Sequence, residues 1–203
     1  MRRMTIRQKF YKAIKDYNML RDGDRVAVAV SGGWDSLTLL WLLEEARRKS
    51  GIEFDIIAVH ILGDGSGPKE EPHPPLIEWL ERFEKERGVR YVLEPFLISE
   101  GEKLPLNCFR CSWLRRKSLF TAAHKHGCNK LAFGHHMDDM VQTAILNLFV
   151  QGRLELMKIS TPFFGGAIEV IRPLVYARKG EIKSFARRHG CLLYTSPSPR
   201  DRG

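Results

Sequence analysis

The run Ser31-Gly32-Gly33-Trp34-Asp35-Ser36 constrains what this chain can fold into more than any other segment. It follows Arg25–Val30, a short apolar, β-branched stretch of the kind that fills a strand buried on both faces. It leads into Asp35–Arg48, whose apolar spacing predicts a helix. Strand, glycine-rich turn and helix in that order belong to a parallel sheet, whose carboxyl edge is where ligands bind. Two glycines let the backbone turn sharply and approach a ligand with no Cβ in the way. Amides of the turn and of the helix N-terminus then point at an anion, and the Ser31 and Ser36 hydroxyls add donors. The pattern lacks the Gly-Lys-Ser/Thr ending of one phosphate loop and is not the G-x-G-x-x-G dinucleotide turn. Its place between strand and helix favours phosphate binding over a plain tight turn.

The alternation continues along the chain. Residues 5–20 predict a helix with Ile6, Phe10, Ile14 and Leu20 on its apolar side. A second strand is expected at Phe54–Leu62, then a Gly-, Pro- and charge-rich loop or lid over 63–75. A helix near 75–87, a strand near 90–98 and a helix from about Cys111 follow, then a strand at Lys130–His135 and a helix at Asp138–Val150. Strands alternating with helices imply an α/β fold built on a doubly wound, mostly parallel sheet. The expected organisation is an N-terminal helix over 1–22, one nucleotide-binding domain over 23–193, and a disordered or foreign tail over 194–203. That tail has one aromatic and no aliphatic residue with which to order itself.

Thirty-three Lys and Arg against 24 Asp and Glu leave a net charge of +9, which favours a polyanionic partner, nucleic acid first among them. A merely basic enzyme fits that charge equally well. No stretch approaches the ~18 apolar residues of a membrane helix, and no signal-peptide core follows Arg2 and Arg3. A cytoplasmic protein without membrane contact is expected. In a reducing compartment, four cysteines suggest metal or redox chemistry more than disulfides.

Two of those cysteines form Cys108-Phe109-Arg110-Cys111, followed by Arg115, Arg116 and Lys117. Thiols three apart at a helix start can share one metal, and the helix N-terminus stabilises thiolates. A structural zinc site wants four ligands, and no second C-x-x-C exists. A thioredoxin-type pair would follow an early strand. An iron–sulfur cluster held by three cysteines fits the count best. The third motif, Gly134-His135-His136-Met137-Asp138-Asp139, falls at another strand-to-helix junction, where Gly134 permits close backbone approach. His135 and Asp138 are expected to face the same crevice as the glycine-rich loop; paired acids at a helix start also serve as caps.

The SGGxDS run resembles the signature of the PP-loop ATP pyrophosphatase superfamily. By that resemblance the fold is a Rossmann-like ATP-binding domain, and Ser31, Gly32, Gly33, Asp35 and Ser36 bind the phosphates, with Asp35 near Mg²⁺. Trp34 departs from the lysine often found at that position in the thiolating branch, and an indole cannot neutralise phosphate charge. Taken with C-x-x-C and its basic residues, GHHxDD, Asn147-Leu148-Phe149, Gly152-Arg153-Leu154 and Ile171-Arg172-Pro173-Leu174, the chain is similar to the tRNA 2-thiocytidine synthetase family.

That resemblance implies a tRNA sulfurtransferase. ATP activates a cytidine of the anticodon loop at C2, and sulfur carried by a 4Fe-4S cluster replaces the oxygen. Asp35, Asp138, Cys108 and Cys111 become the catalytic candidates, and Gly134 and His135 join the ATP site. Cys108 and Cys111 match two cluster ligands; Cys191 is the available third but falls a few residues early. The alternative, a third ligand lost where the odd tail begins, is preferred; Cys128 reads as structural. Arg110, Arg115, Arg116, Lys117 and Arg153 are the candidate tRNA contacts, with Trp113 or Phe109 stacking on a splayed base. Arg7, Lys9, Lys12 and Lys15 either touch RNA or lie on a helix that covers the sheet edge. A sulfur donor is required, and similar proteins suggest a homodimer. The competing readings are a lysidine synthetase type of tRNA-modifying enzyme, which has no use for C-x-x-C, and a non-catalytic nucleotide- or RNA-binding relative.

Overall fold

The computed structural model describes residues 4–69 and 73–191; the expectations placed on 194–203 lie outside them. In chain order the elements are α1 (Ile6–Asp16), β1 (Arg25–Ala29), α2 (Trp34–Lys49), β2 (Asp55–Asp64), β3 (Gly67–Pro68), α3 (Pro74–Arg87), β4 (Tyr91–Pro95), α4 (Cys108–Lys125), β5 (Lys130–Ala132), α5 (Met137–Gln151), β6 (Ser160–Phe163), β7 (Ile168–Ile171) and α6 (Lys179–Arg188).

Local chemistry sets the ends of these elements. Thr5 and Gln8 form a capping box at α1: Thr5 Oγ1 accepts from the Gln8 amide at 3.3 Å, and Gln8 Oε1 accepts from the Thr5 amide at 2.8 Å. Asn107 caps α4 by accepting from the Arg110 amide at 2.9 Å. The C-x-x-C helix therefore begins at Cys108 itself, three residues before the sequence places it, because the cap precedes the first cysteine. Gly88 ends α3 in the left-handed conformation at φ 64°.

The strands form one mixed sheet. β4, β2, β1, β5 and β7 run parallel in that spatial order, and β6 pairs antiparallel with β7 at one edge. Within 63–75, where a loop is expected, β2 runs on to Asp64 and turns back through β3, Gly63 pairing with Pro68. Strand side chains alternate between two cores. Val26, Val28, Ile56 and Ala58 face one core with α1, α2, α3 and α6, while Ala27, Val59, Ile61 and Leu131 face the other with α4. Phe10, Leu40 and Phe185 are fully buried in the first core and Leu114 in the second. Each contributes about 1.5–3 kcal/mol of apolar burial.

Strand order reverses direction at β1, which is followed in sequence by β2 on one side and in space by β5 on the other. The crevice beyond the carboxyl ends of β1 and β5 is the switch point of the sheet. There Gly134 lies against the first turn of α2. A Cβ added to it would sit 3.0 Å from the Asp35 carbonyl carbon and 3.1 Å from the Ser36 nitrogen. Glycine is needed because the two backbones touch. Gly134→Ala is expected to lower stability by about 1–3 kcal/mol, read as an earlier urea midpoint; an unchanged midpoint would show that the junction gives way freely.

Candidate active site

The glycine-rich loop is held in a closed shape by its own hydroxyls. Gly32 takes φ +84°, a conformation suited to glycine, and Gly33 begins α2. The Ser31 amide donates to Ser36 Oγ at 3.2 Å, Ser36 Oγ donates to the Gly33 carbonyl at 2.9 Å, and the Gly33 amide donates to Ser31 Oγ at 3.3 Å. Behind the loop, His60 Nδ1–H donates to the Val30 carbonyl at 2.8 Å, which fixes the ring's tautomer. Burial holds the pKa of His60 below its ordinary value, the Val30 carbonyl opposing this and the Arg115 charge adding to it.

Helices α2, α5 and α6 all begin at this crevice. Lys179 Nζ lies 2.9 Å from Asp35 Oδ2, and the Lys179 amide donates to Asp138 Oδ2 at 2.9 Å. The Met137 amide donates to the Ala177 carbonyl at 2.9 Å, tying α5 to the segment that leads into α6. Converging N-termini give the crevice a positive end of several helix dipoles, a setting that favours a phosphate. Asp139 caps α5 through the His136 amide at 2.8 Å. Asp138 instead faces α6.

The GHH motif suggests His135 for this crevice, but the histidine that meets the start of α2 is His136. Its ring lies 3.6 Å from Asp35 Oδ1, 3.4 Å from Asp138 Oδ2 and 3.5 Å from Asp139 Oδ2. Successive residues entering α5 point opposite ways, so His135 turns to Arg172, whose Nε donates to His135 Nδ1 at 3.3 Å. Burial, and then the Arg172 charge, drive the His135 pKa to about 4, leaving it neutral with Nδ1 as acceptor. Burial, together with Arg116, lowers Arg172 to about 10. Trp34 Nε1, Asp35 Oδ1 and His136 Nδ1 are buried without a hydrogen-bond partner among the described residues. Buried polar atoms are rarely left so, and these three point to a ligand rather than to a filled core. No three His, Cys, Asp or Glu side chains among the described residues are placed to hold a metal by themselves. Mg²⁺ commonly shares its shell between a carboxylate or two and substrate phosphates, and that chemistry fits Asp35 and Asp138.

The cysteines separate into two kinds. Cys108 is exposed and Cys111 half-buried on the first turn of α4. Cys111 lies beneath the β2–β3 turn, where a Cβ on Gly65 would come within 3.8 Å of its sulfur. The pair therefore sits at the same carboxyl edge as the glycine-rich loop. Cys191 does not join it. It is fully buried in the core of α1, α2, α3 and α6, on the sheet face opposite α4, and burial pushes its thiol up to about 12. The cause is helical geometry: α6 ends at Arg188, and Cys191 folds straight back under it, its amide donating to the Ala186 carbonyl at 2.9 Å. Cys128 is likewise buried, its thiol raised by burial, as a structural role requires.

The basic residues also divide. Arg110 pairs with Glu102 and lies 4.9 Å over the Trp113 ring. Arg115 donates to the Gly63 carbonyl at 2.9 Å, fastening α4 to the end of β2. Arg116 and Lys117 instead line, with Trp113, Phe120, Phe163 and Phe164, an open cavity of about 800 Å³ between α4 and the β6–β7 hairpin. Phe109 and Trp113 are exposed, and Arg153 is exposed beyond α5. On α1, Arg7 pairs with Glu45 of α2, Lys9 with Glu181 of α6 and Lys12 with Asp16 of the same helix, while Lys15 is exposed. Lys179, His136 and Arg172 carried no role in the sequence reading. The second histidine of the GHH motif was a visible signal for His136, but nothing in sequence places Lys179 at the loop.

A family model described as a PP-loop domain matches residues 3–202. The tRNA-cytidine(32) 2-sulfurtransferase of Citrifermentans bemidjiense is 39% identical over 189 residues, covering 91% of this chain and 71% of that protein. The protein of the same name from Geobacter metallireducens is 40% identical over 183 residues, covering 88% and 68%. Among solved structures, the U34-tRNA thiolase NcsA from Methanococcus maripaludis, with its 4Fe-4S cluster, aligns with a TM-score of 0.72 at 24% identity. That alignment covers 96% of this chain, which spans 65% of the thiolase's length. No helix among the described residues is long and apolar enough to cross a membrane.

Two outcomes follow from this geometry. Alkylation of the native protein should label Cys108 first and Cys111 next, with Cys128 and Cys191 labelled only on unfolding; peptide mass spectrometry reads the order. His135 is harder to protonate folded than unfolded, so the unfolded chain binds the extra proton as pH falls below about 6.5. Stability is therefore lost between that value and about 4, and His135→Gln should flatten this part of a urea-unfolding pH profile.

Proposed function

Since the chain belongs to the PP-loop tRNA-cytidine 2-sulfurtransferase family, we propose that it performs ATP-dependent thiolation of tRNA at C2 of a cytidine in the anticodon loop. The observation that carries this reading is the common edge: the glycine-rich loop and the Cys108–Cys111 pair both lie at the carboxyl ends of the parallel strands.

ATP lies with its phosphates against Ser31–Ser36 and the converging helix starts, and Asp35 and Asp138 are the residues that would hold a Mg²⁺ brought with it. The cytosine O2 attacks the α-phosphorus, pyrophosphate leaves, sulfur adds at C2, and AMP departs with the oxygen. Adenylation turns a poor oxygen leaving group into a good one, and the loop's donors stabilise the departing pyrophosphate. A neutral His135, held by Arg172 at 3.3 Å, keeps its other ring N–H available as a donor. Cys108 and Cys111 would supply two of the three cysteine thiolates that hold a 4Fe-4S cluster, and when bound the cluster would offer an open iron able to carry sulfide. Cys191 lies on the other face of the sheet and Cys128 is buried, so neither of the remaining cysteines joins the pair as a third ligand. The tRNA approaches along Arg116 and Lys117, with Trp113 available to stack on an unpaired base.

AMP and pyrophosphate release should depend on tRNA. Asp35→Asn should cut that release by about tenfold or more, as loss of a metal-holding carboxylate does. Cys108→Ala should leave ATP binding intact and abolish thiolation. AMP release indifferent to tRNA would exclude the reading. ATP-dependent tRNA modification that survives Cys108→Ala would favour a lysidine type of chemistry.

A further inference from the structure

The crevice gathers Asp35, Asp138 and Asp139 within reach of His136, yet Ser31–Ser36 carries no Lys or Arg. A triphosphate brings further negative charge into the same space, and helix dipoles alone do not offset it. We propose that Lys179, carried in from α6, is the cation that binds the pyrophosphate end of the nucleotide, with Lys183 as its companion one turn along. This rests on the reading of the loop as a phosphate site and names a residue that the loop motif does not contain.

Lys179 is the first residue of α6. Its ammonium lies 2.9 Å from Asp35 Oδ2 at the mouth of the loop, about seven-tenths buried (30% exposed). Its amide is committed to Asp138, so the backbone is fixed while the side chain can exchange a carboxylate for a phosphate oxygen. Lys183, four residues on and so on the same face of α6, holds its ammonium 4.9 Å from the centre of the Trp34 ring. The indole at position 34 thus carries a lysine from another helix over the loop. α6 is rigidly seated: Lys9 binds Glu181 at 2.7 Å, Phe185 is fully buried, and its ring stacks on His189 at 3.9 Å. With a triphosphate bound, Lys179 would exchange Asp35 for a phosphate oxygen, leaving the Asp35 carboxylate for a divalent cation.

Calorimetric titration of the full chain with Mg-ATP and, separately, with inorganic pyrophosphate tests this. Lys179→Ala and Lys179→Gln should each weaken both ligands by about tenfold or more, the loss of a charge-assisted hydrogen bond. Lys179→Arg should retain most of the affinity, and all variants should unfold at the wild-type urea midpoint within the ordinary range of a surface change. Lys179→Ala that binds both ligands like wild type overturns the proposal and leaves the phosphate loop standing. Lys179→Arg as defective as Lys179→Ala also overturns it, because charge is then not what the site needs. A wild-type chain that binds neither ligand overturns the phosphate-loop reading, and this proposal with it.

Discussion

The active crevice depends on the contact between Gly134 and the first turn of α2. Where an added methyl would stand 3.0 Å from the Asp35 backbone, two strand-to-helix junctions are pressed together. That approach brings the starts of α2 and α5 side by side, and the Met137–Ala177 hydrogen bond brings α6 after them. The gathering of Asp35, Asp138, His136 and Lys179 follows from backbone geometry first and from side-chain chemistry second.

Much of this was legible in the sequence, because central parallel strands and phosphate turns leave strong local signals. Arg25–Val30 and the SGGxDS turn placed β1, the loop and α2 to within a residue or so. Ile6, Phe10, Ile14 and Leu20 are all buried, as their spacing implied. The less legible parts depend on tertiary placement. β6 runs antiparallel at the sheet edge with two exposed residues and little apolar signal. Lys179 reads as one more surface lysine until α6 is docked against α2. His135 and His136 differ only in which way α5 turns them, a matter of a single residue's rotation.

The sheet itself divides the cysteine chemistry. Cys108 and Cys111 open from a helix start at the carboxyl edge of the sheet. Cys128 and Cys191 are buried, one on each side of the sheet, with their thiols held protonated by the apolar surroundings. Two cysteines are thus accessible and two are packed away, and the four-cysteine count that suggested a cluster overstates what the described residues bring together. The basic residues follow the same division: Arg110 and Arg115 brace α4, while Arg116 and Lys117 line the open cavity beside the β6–β7 hairpin.

The most direct measurement of the central claim is nucleoside mass spectrometry of tRNA incubated anaerobically with the reconstituted protein, ATP, Mg²⁺ and sulfide. A thiolated cytidine that forms only with ATP and disappears in Cys111→Ala is the predicted result. ATP cleavage with no thiolated nucleoside in the tRNA would contradict the account.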